Sequence, residues 1–231
     1  MATEIAVIAG AGSGLSASLA RLLTREGFRV VLAARNIGKL APLVEETGAL
    51  AVETDVADAA SVENLFAVAD KAGPLSLAVF NASGRVRGPI AELDPEAVRQ
   101  ALLVGAYGGF LVGQQAARRL LARGSGSILF TGATASVKGM SGSAGFAMPK
   151  FGLRGLVQSM ARELAPKNIH VAHFIIDGGI APKGPGQADE PGQPDRRLSP
   201  DAIAETYLAI HRQHRSAWTW ELELRPWVEN F

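Results

Sequence analysis

The chain of 231 residues contains no cysteine. Disulfides, thiolate catalysis and cysteine-ligated zinc or iron–sulfur centres are thereby excluded, and a reducing compartment fits. No uninterrupted apolar run approaches the roughly 18–20 residues of a membrane span, so no membrane partner is expected. The opening Met1-Ala2-Thr3-Glu4 lacks the basic start and long apolar stretch of a secretion signal, and a cytoplasmic location is expected. An excess of one charge is also missing. The net charge is +1 and no run of five like charges occurs, so composition suggests no nucleic-acid or anionic-membrane surface. No H-x-x-x-H with an acidic partner occurs either, and no metal site is expected.

What is present suffices for a large core. Apolar residues make up 48% and charged residues 19%, the balance of a folded globular chain rather than a disordered one. Short apolar runs alternate with segments of helical period. Residues 5–9, 28–34, 50–52, 75–80, 127–130 and 170–176 read as strands. Residues 15–26, 39–47, 61–71, 96–123, 146–164 and 201–212 read as helices, with Ser61 as a cap and an interruption near Gly105–Gly109. Trp218, Trp220, Leu222 and Leu224 alternate with Thr219, Glu221 and Glu223, which predicts a last strand with one apolar face. The two tryptophans are expected in the core or at a subunit interface. Strands that are apolar throughout and alternate with helices imply a parallel sheet covered on both faces. The expectation is an α/β fold: a single Rossmann-type doubly wound domain over residues 1–231, with a mostly parallel sheet of about seven strands and helices on both faces. The proline- and glycine-rich segment 181–200 reads as a loop and a candidate substrate lid.

Ala9-Gly10-Ala11-Gly12-Ser13-Gly14-Leu15 joins the first strand to the first helix. Glycines there let the backbone approach a pyrophosphate, and the helix N-terminus offers free N–H groups and partial positive charge. The third glycine of a strict G-x-G-x-x-G is not filled. The second strand ends Leu32-Ala33-Ala34-Arg35-Asn36, and no acid occurs from Val30 to Lys39 to bond a ribose 2′-hydroxyl. Arg35 suits a 2′-phosphate instead, which favours NADP(H) over NAD(H).

The spacing Gly10-x-x-x-Gly14 resembles the T-G-x-x-x-G-x-G turn of the short-chain dehydrogenase/reductase family, with Ala9 for the threonine and Ser16 for the last glycine. Asp55-Val56 resembles the family's Asp after the third strand, and Asn81-Ala82-Ser83-Gly84 resembles its N-N-A-G segment. Lys150-Phe151-Gly152-Leu153, followed by Ala161-Arg162-Glu163-Leu164, resembles the helix carrying the family's Y-x-x-x-K motif, and Ile169-His170-Val171 opens the next strand. These pieces occur in family order over nearly the whole chain. The resemblance implies cofactor contacts from Gly10, Gly12, Ser13, Gly14, Leu15, Arg35, Asp55, Val56, Asn81, Ala82, Lys150 and Gly178. It also implies a small-molecule substrate and a homodimer or homotetramer.

The positions of the family's chemistry depart from its pattern. Four residues before Lys150, where the family has tyrosine, stands Phe146, and the family's serine falls on Ala133. The family's helix asparagine falls on Gly105, its proline-glycine on Asp177-Gly178, and its following threonine on Pro182. Phenylalanine has no proton to give and alanine has no hydroxyl. Loss of general acid catalysis costs about 10²–10⁴ in rate. Lys150, Thr134 and Ser143 are the substitute catalytic candidates; Ser141, Tyr107 and Asp177 are further ones, with packing the expected role of Tyr107. The reading is an NADP(H)-dependent oxidoreductase with a non-standard proton donor, suited to an activated C=C or C=N bond. A silent NADP(H)-binding or regulatory protein, and a carbonyl reductase using substitute hydroxyls, stay open as alternatives.

Overall fold

The computed structural model describes residues 3–181 and 195–229. Most of the expected lid lies outside those residues, as does Pro182. Seven strands form one sheet: β1 (Ile5–Ala9), β2 (Arg29–Ala34), β3 (Leu50–Glu53), β4 (Leu75–Phe80), β5 (Gly126–Thr131), β6 (Ile169–Ile176) and β7 (Glu221–Leu224). Their order is β3-β2-β1-β4-β5-β6-β7, and every neighbouring pair is parallel. The expected α/β doubly wound sheet is therefore present. The chain reverses direction across the sheet between β1 and β4, and ligands of such sheets bind at that point, outside the carboxyl ends of the strands.

Among the described residues, seven α-helices flank the sheet: α1 (Leu15–Arg25), α2 (Ala41–Thr47), α3 (Ala59–Ala72), α4 (Pro95–Leu102), α5 (Gly108–Arg123), α6 (Ala144–Leu164) and α7 (Pro200–His211). Successive side chains of a strand leave on opposite faces. Ile5, Val7 and Ala9 pack with Val112, Leu153 and Val157 of α5 and α6, whereas Ala6 and Ile8 pack with Leu19, Leu23 and Tyr207 of α1 and α7. Both faces are thus dry, which explains strands that are apolar throughout.

The starts of α3 and β7 differ from expectation. Helix α3 starts before Ser61, because Asp58 is its cap: the Asp58 carboxylate accepts from the Ser61 amide at 2.6 Å, while the Ser61 hydroxyl accepts from the Asp55 amide at 3.0 Å. Strand β7 begins only at Glu221. Trp218 lies outside it, stacked on His170 at 4.7 Å, with its Nε1 donating to the Gln213 carbonyl. The interruption expected near Gly105–Gly109 in the helical segment 96–123 is a π-helical turn at Leu103–Tyr107. There Gly105 meets Pro149 of α6 so closely that a Cβ on Gly105 would stand 2.7 Å from the Pro149 Cβ. The absence of a side chain at position 105 lets this turn approach the segment of α6 between Phe146 and Lys150.

Candidate active site

The turn after β1 is built from backbone. The Gly10 and Ala11 amides both donate to the Ala33 carbonyl of β2, at 3.0 and 2.8 Å. Gly10 has φ +91°, and a Cβ on it would lie 2.3 Å from the Ala82 nitrogen. Only glycine fits both constraints. The Ser16 hydroxyl donates to the Gly10 carbonyl at 3.0 Å and accepts from Asn81 Nδ2 at 2.7 Å. Asn81 thereby ties the end of β4 to the turn, while its own amide is held by the Ala9 carbonyl. Helix α1 starts at Leu15, with Gly14 as its cap residue and no side-chain cap; the Ala17 and Ser18 amides donate to the Gly14 carbonyl, and the helix start borders a cleft. No atom lies within 4 Å of a Cβ placed on Gly12, so the space beside that helix terminus is open.

Two adjoining clefts lie along the carboxyl ends of the strands. The larger, about 530 Å³, is bordered by the Gly10–Ser13 turn, Arg35, Lys39, Asp55, Val56, Asn81 and Ala82. The smaller, about 280 Å³, is bordered by Gly12, Gly14, Leu15, Asn81 and Ile180. The structure thus gathers the expected cofactor residues of the first four strands around one continuous depression. Arg35 is exposed at its rim and makes no hydrogen bond or ion pair with a described residue. Asp55 accepts from the Ala57 amide at 2.9 Å and so shapes its own turn. Gly178 borders neither cleft. Its φ is +146°, and a Cβ there would lie 2.7 Å from Pro226 Cδ, which accounts for the glycine by packing.

The other end of the site is carried by α6. Phe146 and Lys150 are one turn apart on the same helix face, both buried, with the Lys150 ammonium 6.0 Å from the ring centroid. Phe146 packs with Ala135, Ala147 and Ala133, so the positions of the missing hydroxyls form a small apolar cluster. Lys150 Nζ donates to the Thr131 carbonyl at 2.8 Å. Burial, with the nearby charge of Arg85, lowers its pKa to about 8. Thr134 donates its hydroxyl proton to Asp177 at 2.5 Å, and the other Asp177 oxygen faces Arg225 at 3.3 Å. Thr134 therefore has its proton committed. Ser143 is buried at the start of α6; its carbonyl accepts from the Phe146 and Ala147 amides, and its hydroxyl bonds no described residue. Tyr107 is exposed and stacks on Phe110. Tyr207 is buried against Phe174, bonded to the Thr131 hydroxyl, and burial raises its pKa.

Two groups at this end were not singled out by sequence reasoning. His173, fully buried on β6, bonds Glu221 at 3.0 Å, and Glu221 receives a two-pronged contact from Arg154 of α6. Burial lowers the His173 pKa to about 4 against the pull of Glu221. Arg85 and Arg87, in the loop after β4, place their guanidinium carbons 5.0 and 5.8 Å from the Phe146 ring centroid. The alternation Arg85-Val86-Arg87 directly after the Asn81 segment was the available signal.

The short chain dehydrogenase family model matches residues 4–182. The chain belongs to this family. Among curated short-chain dehydrogenases, it is 34% identical over 196 residues to the cis-4-hydroxycyclohexanecarboxylate dehydrogenase of Sinomonas cyclohexanicum, covering 82% of this chain and 75% of that one. Among solved structures, a short-chain dehydrogenase from Rhodopseudomonas palustris is 41% identical, with a TM-score of 0.84 over 97% of this chain and 99% of that one. An alcohol dehydrogenase from the archaeon Thermococcus sibiricus, solved in complex with 5-hydroxy-NADP, is 26% identical, with a TM-score of 0.84 over 99% and 98% of the two chains. Family membership makes this chain an oxidoreductase by kinship. No helix among the described residues is long and apolar enough to cross a membrane.

Proposed function

We propose that this chain is an NADP(H)-dependent oxidoreductase that reduces an activated C=C or C=N bond without a tyrosine proton donor. The observation that carries this reading is Phe146, one turn before Lys150 and buried among Ala133, Ala135 and Ala147, in a chain whose glycine turn opens on a cleft.

The residues present fit the cofactor. The open space at Gly12 and the uncapped start of α1 suit a pyrophosphate, held by backbone N–H groups. Arg35, with Lys39 nearby on the same cleft, suits a 2′-phosphate, and no acid stands there to select a 2′-hydroxyl. The NADP-type ligand of the Thermococcus relative supports the same choice. When bound, NADPH supplies a hydride.

The remaining chemistry falls to the protein. Lys150 has three N–H donors and spends one on the Thr131 carbonyl. The other two can hold ribose hydroxyls or release a proton, and a pKa near 8 suits an acid that works near neutrality. Thr134 is a poorer donor, because its proton already lies toward Asp177. An unactivated ketone needs strong help at its oxygen, which neither position 146 nor 133 supplies. An iminium, or an enone attacked at its β-carbon, carries its own electron sink and needs less. The test is NADPH oxidation across cyclic imines, conjugated enones and simple ketones. Turnover of the first two classes is expected. NADPH binding with no oxidation by any acceptor replaces this reading with that of a cofactor-binding protein.

A further inference from the structure

The loop leaving β4 is pinned at three points. Gly84 lies against α4, where a Cβ would come within 2.6 Å of Ala101 Cα. Val86 packs against Gly145 at the start of α6, with a would-be Gly145 Cβ 3.0 Å from the Val86 Cβ. The Gly88 amide donates to the Gly142 carbonyl at 2.9 Å. Val86 faces the protein, and the flanking Arg85 and Arg87 are exposed. Both still reach the Phe146 ring, at 5.0 and 5.8 Å, and Lys150 approaches the same ring at 6.0 Å.

Three cations therefore converge on one aromatic ring. Neither arginine makes a hydrogen bond or ion pair with any described residue. An aromatic face tolerates cations, but it does not neutralise them. Guanidinium groups offer planar, paired donors that match a carboxylate, and a pinned loop holds them without loss of much side-chain freedom. We propose that Arg85 and Arg87 bind the carboxylate of an anionic substrate whose reducible bond lies beside Phe146 and Lys150. The proposal rests on the functional reading above and narrows it to acceptors that carry a carboxylate.

The test separates binding from turnover. Protein loaded with NADP⁺ is titrated calorimetrically with benzoate, methyl benzoate and phenyl phosphate. Benzoate is expected to bind at least roughly tenfold tighter than the ester, as charge-assisted contacts predict. Arg85→Gln with Arg87→Gln is expected to abolish that difference, and Arg85→Lys with Arg87→Lys to keep part of it. Equal binding of acid and ester, an unaffected double glutamine variant with wild-type Tm, or a tenfold preference for phenyl phosphate overturns the proposal. A parallel assay follows NADPH oxidation by a γ-oxo-α,β-unsaturated acid and its methyl ester. Equal turnover of the two sinks the carboxylate site and leaves the functional reading. Arginine-dependent benzoate binding without any NADPH oxidation does the reverse.

Discussion

Phe146 stands one turn before Lys150 on α6, and its ring, packed with Ala133, Ala135 and Ala147, lies 6.0 Å from the lysine ammonium. This pairing keeps a lysine and sets an apolar ring where the Y-x-x-x-K pattern has its tyrosine. The lysine is anchored on the Thr131 carbonyl at the end of β5, and phenylalanine at position 146 has no proton to pass to a carbonyl oxygen. Supplying that proton is the simplest check. Phe146→Tyr with Ala133→Ser should raise the reduction of simple ketones by roughly 10²-fold or more, the usual worth of a positioned general acid. Steady-state kcat/KM on a ketone panel measures it, and no gain contradicts the assignment of these two positions.

Arg35 is exposed at the rim of the larger cleft with no hydrogen-bond or ion-pair partner among the described residues. Arg35→Ala should weaken NADPH by tenfold or more, the effect of a charge-assisted contact of about 1.5–3 kcal/mol, and leave NADH nearly unchanged. Fluorescence titration of both cofactors reads the difference. Equal loss for both removes the 2′-phosphate assignment.

Gly10 and Gly12 are two positions apart and should fail in different ways. A methyl at Gly10 meets the Ala82 backbone at 2.3 Å in a left-handed conformation, so Gly10→Ala should cost at least about 2 kcal/mol of stability. A methyl at Gly12 meets nothing in the protein, so Gly12→Ala should keep the wild-type denaturation midpoint and weaken NADPH and NADH alike. Denaturant curves and cofactor titrations on the two variants test the contrast.

Acid should destabilise the fold through His173. Its folded pKa of about 4 lies below the ordinary histidine value near 6.5. Between those values the unfolded chain takes up a proton that the folded chain refuses. Stability is therefore full above pH 6.5 and falls as pH drops toward 4, by up to about 3 kcal/mol. His211, half-buried and also lowered to about 4 mainly by that burial, acts in the same direction. Tm measured from pH 7.5 to 4.5 should fall, and His173→Gln should flatten part of that slope. An unchanged slope contradicts the assignment.

Much of this architecture is legible in the chain because it rests on local chemistry. Residues such as Ile5–Ala9 and Leu75–Phe80 read as strands because both sheet faces are covered, and Gly10 marks a turn that no other residue fits. Lys150 fixes the frame from which Phe146 is found by counting one turn back. What was missed depends on contacts distant in sequence. Trp218 alternates like a strand residue, yet stacking on His170 and a bond to Gln213 hold it outside β7. Thr134 reads as a free hydroxyl until Asp177 is brought to it by β6. Arg85 and Arg87 gain a common neighbour only when α6 sets Phe146 beside them.

The central claim is hydride delivery from NADPH to an activated double bond with phenylalanine at position 146. NADPH carrying deuterium at the transferable position of nicotinamide C4, mixed with the wild-type protein and a conjugated enone or cyclic imine, tests it in one experiment. The account predicts one deuterium on the product, at the β-carbon of the enone or the former imine carbon, and little or no product from a simple ketone. Tight NADPH binding with no deuterium transferred to any acceptor, or ketone reduction as fast as that of the activated substrates, would contradict it.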